Sequence, residues 1–150
     1  MTDLFNALPP LRAISLWQPW ASGIPLGLKA IETRHWSTKY RGDIAIHAAK
    51  RWTREQRAFW AAEEAAGRLP PAIPFGVIVA VARIVDVRPT EELVDGISDI
   101  ERLYGNYAPG RFGWLLEEVR PLRSNVLCPG RQSMWTLSAD LAARVREQLP

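Results

Sequence analysis

One cysteine and two histidines are all that the 150 residues offer of the usual metal-binding and redox side chains. A lone thiol, Cys128, excludes a disulfide framework and a cysteine-rich zinc site, and it fits a reducing compartment. His35 and His47 fall on different predicted elements, with no carboxylate at ligand spacing, so neither a metal nor another cofactor is expected. No apolar run approaches the roughly 18 to 20 residues that a membrane span needs. The segment Met1–Pro10 lacks a positive cluster followed by an apolar stretch, so no signal peptide is expected and the expected location is the cytoplasm. Also missing are a P-loop, a G-x-G-x-x-G after a strand, a G-x-S-x-G elbow and an H-E-x-x-H helix. The commonest nucleotide-binding, hydrolase and zinc-protease signatures are thereby excluded.

What remains is ordinary globular composition, 47% hydrophobic and 23% charged. The length suits one domain over residues 1–150. Net charge is only +3, but it is unevenly placed. Residues 27–57 carry eight basic side chains against three acids, and residues 86–118 carry eight acids against three arginines. The first segment predicts a cationic face that attracts polyanions. The second predicts an acidic face, Asp86 to Glu118, that would suit a basic protein partner. Seven tryptophans are unusual for this length. Most are expected in the core, whereas Trp17, Trp36 and Trp135, beside cations or in polar loops, are expected as stacking platforms.

Hydrophobic patterning predicts strands over 12–17, 30–34, 43–48, 75–87, 111–119 and 133–137. Helices are predicted over 20–26, 54–67 (capped by Thr53) and 139–149 (capped by Ser138), with one or two short helices inside 90–103. The fold class is therefore α+β, with about six strands and three or four helices. The density of β-branched residues between Phe75 and Val87 marks the central strand of a curled sheet or barrel.

The chemistry-bearing stretch is Gly27-Leu28-Lys29-Ala30-Ile31-Glu32-Thr33-Arg34. Glu32 and Arg34, two apart on a strand, project to one side. Lys29, in the turn before them, can join them to bring an ammonium, a carboxylate and a guanidinium to one pocket. Such a set can hold a phosphate and read a base edge, or it can be a plain salt-bridge ladder.

The pattern G-x-K-x-x-E-x-R behind Ser15-Leu16-Trp17-Gln18-Pro19-Trp20-Ala21 resembles the ASCH domain family. That family is a PUA-like β-barrel superfamily that includes the C-terminal domain of the activating signal cointegrator. The likeness continues through Tyr40 to Lys50, Gly76 to Pro89, Phe112 to Glu117 and Gly130 to Trp135, about residues 12–138 in all. It implies a PUA-like barrel and an RNA or modified nucleotide as partner, with no membrane. By resemblance, Lys29, Glu32 and Arg34 line a cleft whose helix-side wall is Trp17, Gln18 and Trp20. Lys50 stands at its rim, and Gln132, Ser133 and Trp135 on the neighbouring strand.

Two hydrolytic activities follow from relatives. A ribonuclease acting on single-stranded RNA needs a base, a group that stabilises the phosphorane and an acid. Glu32 would be the base, Lys29, Lys50 or Arg34 the stabilisers, and Tyr40 and Ser133 helpers. The catalytic set is then Lys29, Glu32 and Lys50. The acetylcytidine amidohydrolases instead use a lysine followed by a threonine three positions later. Here Glu32 stands at that position and Thr33 is one late, which departs from the pattern. A non-catalytic protein-interaction module is the third expectation. Arg51, Arg54 and Arg57 are expected as solvated helix charges, and Cys128 as a small apolar filler.

Overall fold

The computed structural model describes residues 8–150. The expectation about a leader at Met1–Pro10 falls mostly on residues outside that range. Six strands form one sheet in the order β2-β5-β4-β3-β1-β6. They are β1 (Arg12–Leu16), β2 (Ile31–Arg34), β3 (Gly42–Ala48), β4 (Val77–Pro89), β5 (Phe112–Leu127) and β6 (Met134–Thr136). Five helices flank them among the described residues: α1 (Trp20–Gly23), α2 (Arg54–Ala65), α3 (Thr90–Leu93), α4 (Asp99–Leu103) and α5 (Ala139–Glu147). The fold is an α+β curled half-barrel, as the sequence predicted. β1 and β3 run parallel, and the other pairings are antiparallel.

Both faces of the sheet are covered. Strand alternation sends Ile14, Leu16, Ile44, Ile46 and Ala48 into one core with Ala21 and Ile24 of the α1 region and Trp114. It sends Ala13, Ala45, Ile78 and Val81 into a second core under Ala142 and Val145 of α5. β4 is buried on both sides over most of its length, which is why it reads as an unbroken apolar run.

Several boundaries differ from expectation. β5 runs to Leu127, not Val119, through Pro121. β2 pairs with β5 only as far as Leu115, so at Pro121 the strand is paired on its β4 side alone, a placement that suits proline. Between the Arg83–Glu117 and Val81–Arg120 pairs, β5 carries an extra residue, with Glu118 at φ 48°. That bulge bends the strand across β4. The first helix stops at Gly23 instead of Leu26, and the chain then turns back at Gly27 (φ 79°). The acidic span contributes two short helices, which raises the helix count to five among the described residues.

Candidate functional site

Lys29, Glu32 and Arg34 do meet. The Glu32 carboxylate lies 3.4 Å from Lys29 Nζ and 3.2 Å from Arg34 Nη2. It also accepts from the Thr33 amide at 3.1 Å. Lys29 is 2% exposed and donates to the Tyr104 carbonyl at 2.8 Å. Arg34 Nη2 donates to the Ser15 carbonyl at 2.6 Å. β2 is one edge of the sheet and β1 lies next to the other, so this bond ties the two sides of the half-barrel where no backbone ladder does. The guanidinium also sits 5.7 and 5.8 Å from the ring centres of Trp36 and Trp114. Trp36 is therefore packed against the core and is not a free platform.

The trio lines a cavity of about 560 Å³ with Trp17, Trp20, Phe59, Leu103, Tyr104 and Arg111. A second cavity of about 810 Å³ adjoins it, lined by Lys50, Gly76, Arg131, Gln132 and Ser133. Ser15, Trp17, Arg34 and His35 line both, so the two form one cleft with two lobes. Trp17 is 49% exposed, and the Arg51 guanidinium lies 4.5 Å over its ring. Arg51, expected as a solvated helix charge, is exposed, precedes α2 and stacks on this ring.

Three residues that the sequence suggested for the site lie elsewhere: Gln18 and Trp135, carried over by resemblance, and Tyr40, suggested as a helper. Gln18 is fully buried. Its amide donates to Ser22 Oγ and to the Pro74 carbonyl, both at 2.7 Å, and it accepts from the Ser22 amide. It fixes the start of α1 and has no atom to offer a ligand. Tyr40 donates to the Asp43 carbonyl at 2.6 Å and stacks under Arg12. Trp135 packs beside the second core, with its ring edge against His47. Neither lines the cleft.

Three of the eight acids of the expected acidic face are engaged within the chain. Glu101 accepts from the amides of Ala30 and Ile31 and so fixes the start of β2. Glu91 accepts from the Gly110 amide, and Asp86 pairs with Arg88 and Arg41. Arg88 and the Val87 amide hold the Asp86 carboxyl below its ordinary range. Thr33, the misplaced counterpart of an amidohydrolase threonine, accepts from the Asn106 amide at 2.8 Å.

Sequence reasoning missed a polar pair at the junction of the lobes. Ser15 and His47 are register partners across the parallel β1–β3 pair. Ser15 Oγ lies 2.8 Å from His47 Nδ1, and His47 Nε2 lies 2.7 Å from the Cys128 carbonyl. A carbonyl only accepts, so Nε2 carries a proton. His47 is 1% exposed, and burial, together with Lys50, pushes its pKa down. The neutral ring then leaves Nδ1 as acceptor, and the Ser15 hydroxyl donates to it. Cys128 is buried as expected, yet its carbonyl also orients this ring. Groups of three or more metal-ligating side chains are absent among the described residues, and no helix among them is long and apolar enough to cross a membrane.

A curled half-barrel bearing a two-lobed cationic cleft places the chain in a recognisable class. The family model for the ASCH domain matches residues 14–123, and the chain belongs to the ASCH domain family. Among solved structures it is similar to the crystal structure of ASCH from Zymomonas mobilis. That likeness has a TM-score of 0.59 and 16% identity, and covers 93% of this chain and 96% of that one. A tyrosine-to-phenylalanine variant of the same protein gives a TM-score of 0.60 at 16% identity, covering 93% of this chain and 99% of that one. At this identity the likeness concerns the fold. A comparison with curated proteins gives no match.

Proposed function

We propose that the protein binds single-stranded RNA or a modified nucleotide in the two-lobed cleft. The observation that carries this reading is the half-exposed Trp17 at the junction of the lobes, with Arg51 stacked on its ring and Arg34 beside it. An indole held by a cation on one face offers the other to any base, and surrounding cations neutralise phosphates. Lys50 and Arg131 extend the positive wall along the second lobe. The Lys29–Glu32 pair supports the cleft from below, because its charged atoms are already engaged with each other and with the backbone.

RNA cleavage is the second reading, favoured by Lys50 and Ser133 lining one lobe. Ser133 holds a positive φ of 58°, a strained placement for a serine that presents it at the cleft rim. Lys50, not Lys29, is then the stabiliser of the phosphorane.

The test is binding of a labelled single-stranded RNA across salt concentrations. Four phosphates neutralised by Arg34, Lys50, Arg51 and Arg131 give a loss of about 50-fold in affinity between about 50 and about 200 mM salt. Trp17→Ala is expected to weaken binding at least about 10-fold at any salt. Salt-independent binding, or an unchanged affinity in Trp17→Ala, refutes the reading. Product analysis of the same mixtures, with Lys50→Ala alongside, decides whether cleavage accompanies binding.

A further inference from the structure

We propose that Ser15 is a nucleophile, with His47 as its base, at the junction of the two lobes of the cleft, where it hydrolyses phosphate-bearing acyl compounds: acyl phosphates, or acyl esters whose alcohol carries a phosphate. The proposal is independent of RNA binding and survives the failure of that reading.

The geometry has three parts. First, nucleophile and base are in hydrogen-bond reach at 2.8 Å, and the base is oriented by a third group, the Cys128 carbonyl at 2.7 Å. This is the arrangement that activates a hydroxyl otherwise too weakly acidic to attack. Because the Ser15 proton points at Nδ1, the lone pairs of its oxygen are left for the cleft, which Ser15 lines from both lobes.

Second, the approach to Oγ is kept open by a missing side chain. A Cβ on Gly130 would stand 3.1 Å from Ser15 Oγ and 2.7 Å from His47 Cε1. β4 carries an extra residue opposite the Ile46–His47 step, since the partner jumps from Ala80 to Ile78. Such bulges re-aim side chains beside working sites.

Third, the surroundings are cationic. Arg34 donates to the carbonyl of Ser15 itself, and Lys50 and Arg131 line the same lobe. Charges so placed stabilise a developing oxyanion and favour a leaving group that carries phosphate.

The reaction balances with water as the co-reactant. Ser15 Oγ bonds to the acyl carbon while its proton passes to His47 Nδ1. The bond from carbon to the leaving oxygen breaks, and Nδ1 returns the proton to that oxygen. Water then attacks the acyl-serine ester, giving its proton to Nδ1. Collapse releases the carboxylic acid and restores the Ser15 hydroxyl, with that proton returned to Oγ.

The test incubates the wild type with 4-nitrophenyl acetate and with acetyl phosphate, reading hydrolysis and intact mass. The expected result is turnover of both, with one acetyl group trapped on Ser15 and mapped by peptide sequencing. Ser15→Ala and His47→Gln are each expected to lose at least about 100-fold in rate. Gly130→Ala, which fills the approach, is expected to lose the activity as well. Ser15→Ala is a small change at a half-buried position, so it reports even if His47→Gln fails to fold. Equal rates in wild type and Ser15→Ala, or an acetyl group mapped only to lysines, overturn the proposal. Turnover of 4-nitrophenyl acetate alone keeps the nucleophile and overturns the phosphate-bearing substrate class.

Discussion

Lys29→Met is expected to destabilise the protein by about 3 kcal/mol or more, and Glu32→Gln by a comparable amount, while the double variant is expected to lose much less than their sum. The side chains are 1% and 10% exposed, so neither charge has water to fall back on. Removing the ammonium deprives the Tyr104 carbonyl of its donor and leaves Glu32 Oε1 with only the Thr33 amide. Removing the carboxylate leaves a buried ammonium facing one carbonyl. Uncompensated buried charge is the costly state: Arg34 still faces the carboxylate in Lys29→Met, and it loses that partner once, not twice, in the double variant. Urea unfolding of the wild type, both singles and the double measures the coupling. Single losses that add within about 0.5 kcal/mol would show that the pair acts independently.

The same bonds bear on chemistry. A base must have a free lone pair aimed at the proton it removes. Glu32 accepts from Lys29, Arg34 and a backbone amide, so the carboxylate that the sequence suggested as a catalytic base also braces the cleft. Lys50, by contrast, is exposed with its stem lying over Gly76, where a Cβ would collide with its Cε. Of the three catalytic residues that the sequence suggested, only Lys50 has an ammonium free to move toward a ligand.

How much of this was legible depends on the range of the interaction. Strand parity was enough to put Glu32 and Arg34 on one side, because alternation is a local property. The capping of α2 was equally local: Thr53 Oγ accepts from the Gln56 amide, and the Gln56 side chain accepts from the Thr53 amide. Ser15 and His47 gave no signal, because they are 32 residues apart and meet only through the register of two parallel strands. Gln18 was misread for the opposite reason. Its place in a motif suggested a ligand contact, but the bonds that bury it run to Pro74 and, through its carbonyl, to Gln56. The extension of β5 past Pro121 turned on which edge of the strand was open, and that is a property of the assembled sheet. Charge counts along the chain predicted an acidic face, but could not show that Glu91 and Glu101 bind backbone amides.

Glu63→Ala is expected to unfold at lower urea than the wild type at neutral pH and to open the cleft from the far side of α2. Glu63 is buried, accepts from Arg68 at 2.8 and 2.7 Å, and accepts from the Tyr104 hydroxyl at 2.8 Å. Truncation strands that hydroxyl, on a side chain with no exposed surface, which costs about 1–3 kcal/mol. Tyr104 also supplies the carbonyl that receives Lys29, so α2 and the cleft floor are joined through one residue. A Glu63 variant should therefore weaken ligand binding although it touches no ligand. The pH dependence separates this link from simple loss of packing. The Arg68 and Tyr104 bonds hold the folded Glu63 carboxyl below its ordinary value of 4.5. Its contribution is complete above that unfolded value and is lost as pH falls through the lower folded one. Wild-type stability should drop in that acid window, and Glu63→Gln should flatten that part of the drop. If the two proteins lose stability in parallel there, the carboxylate is not what ties α2 to the cleft.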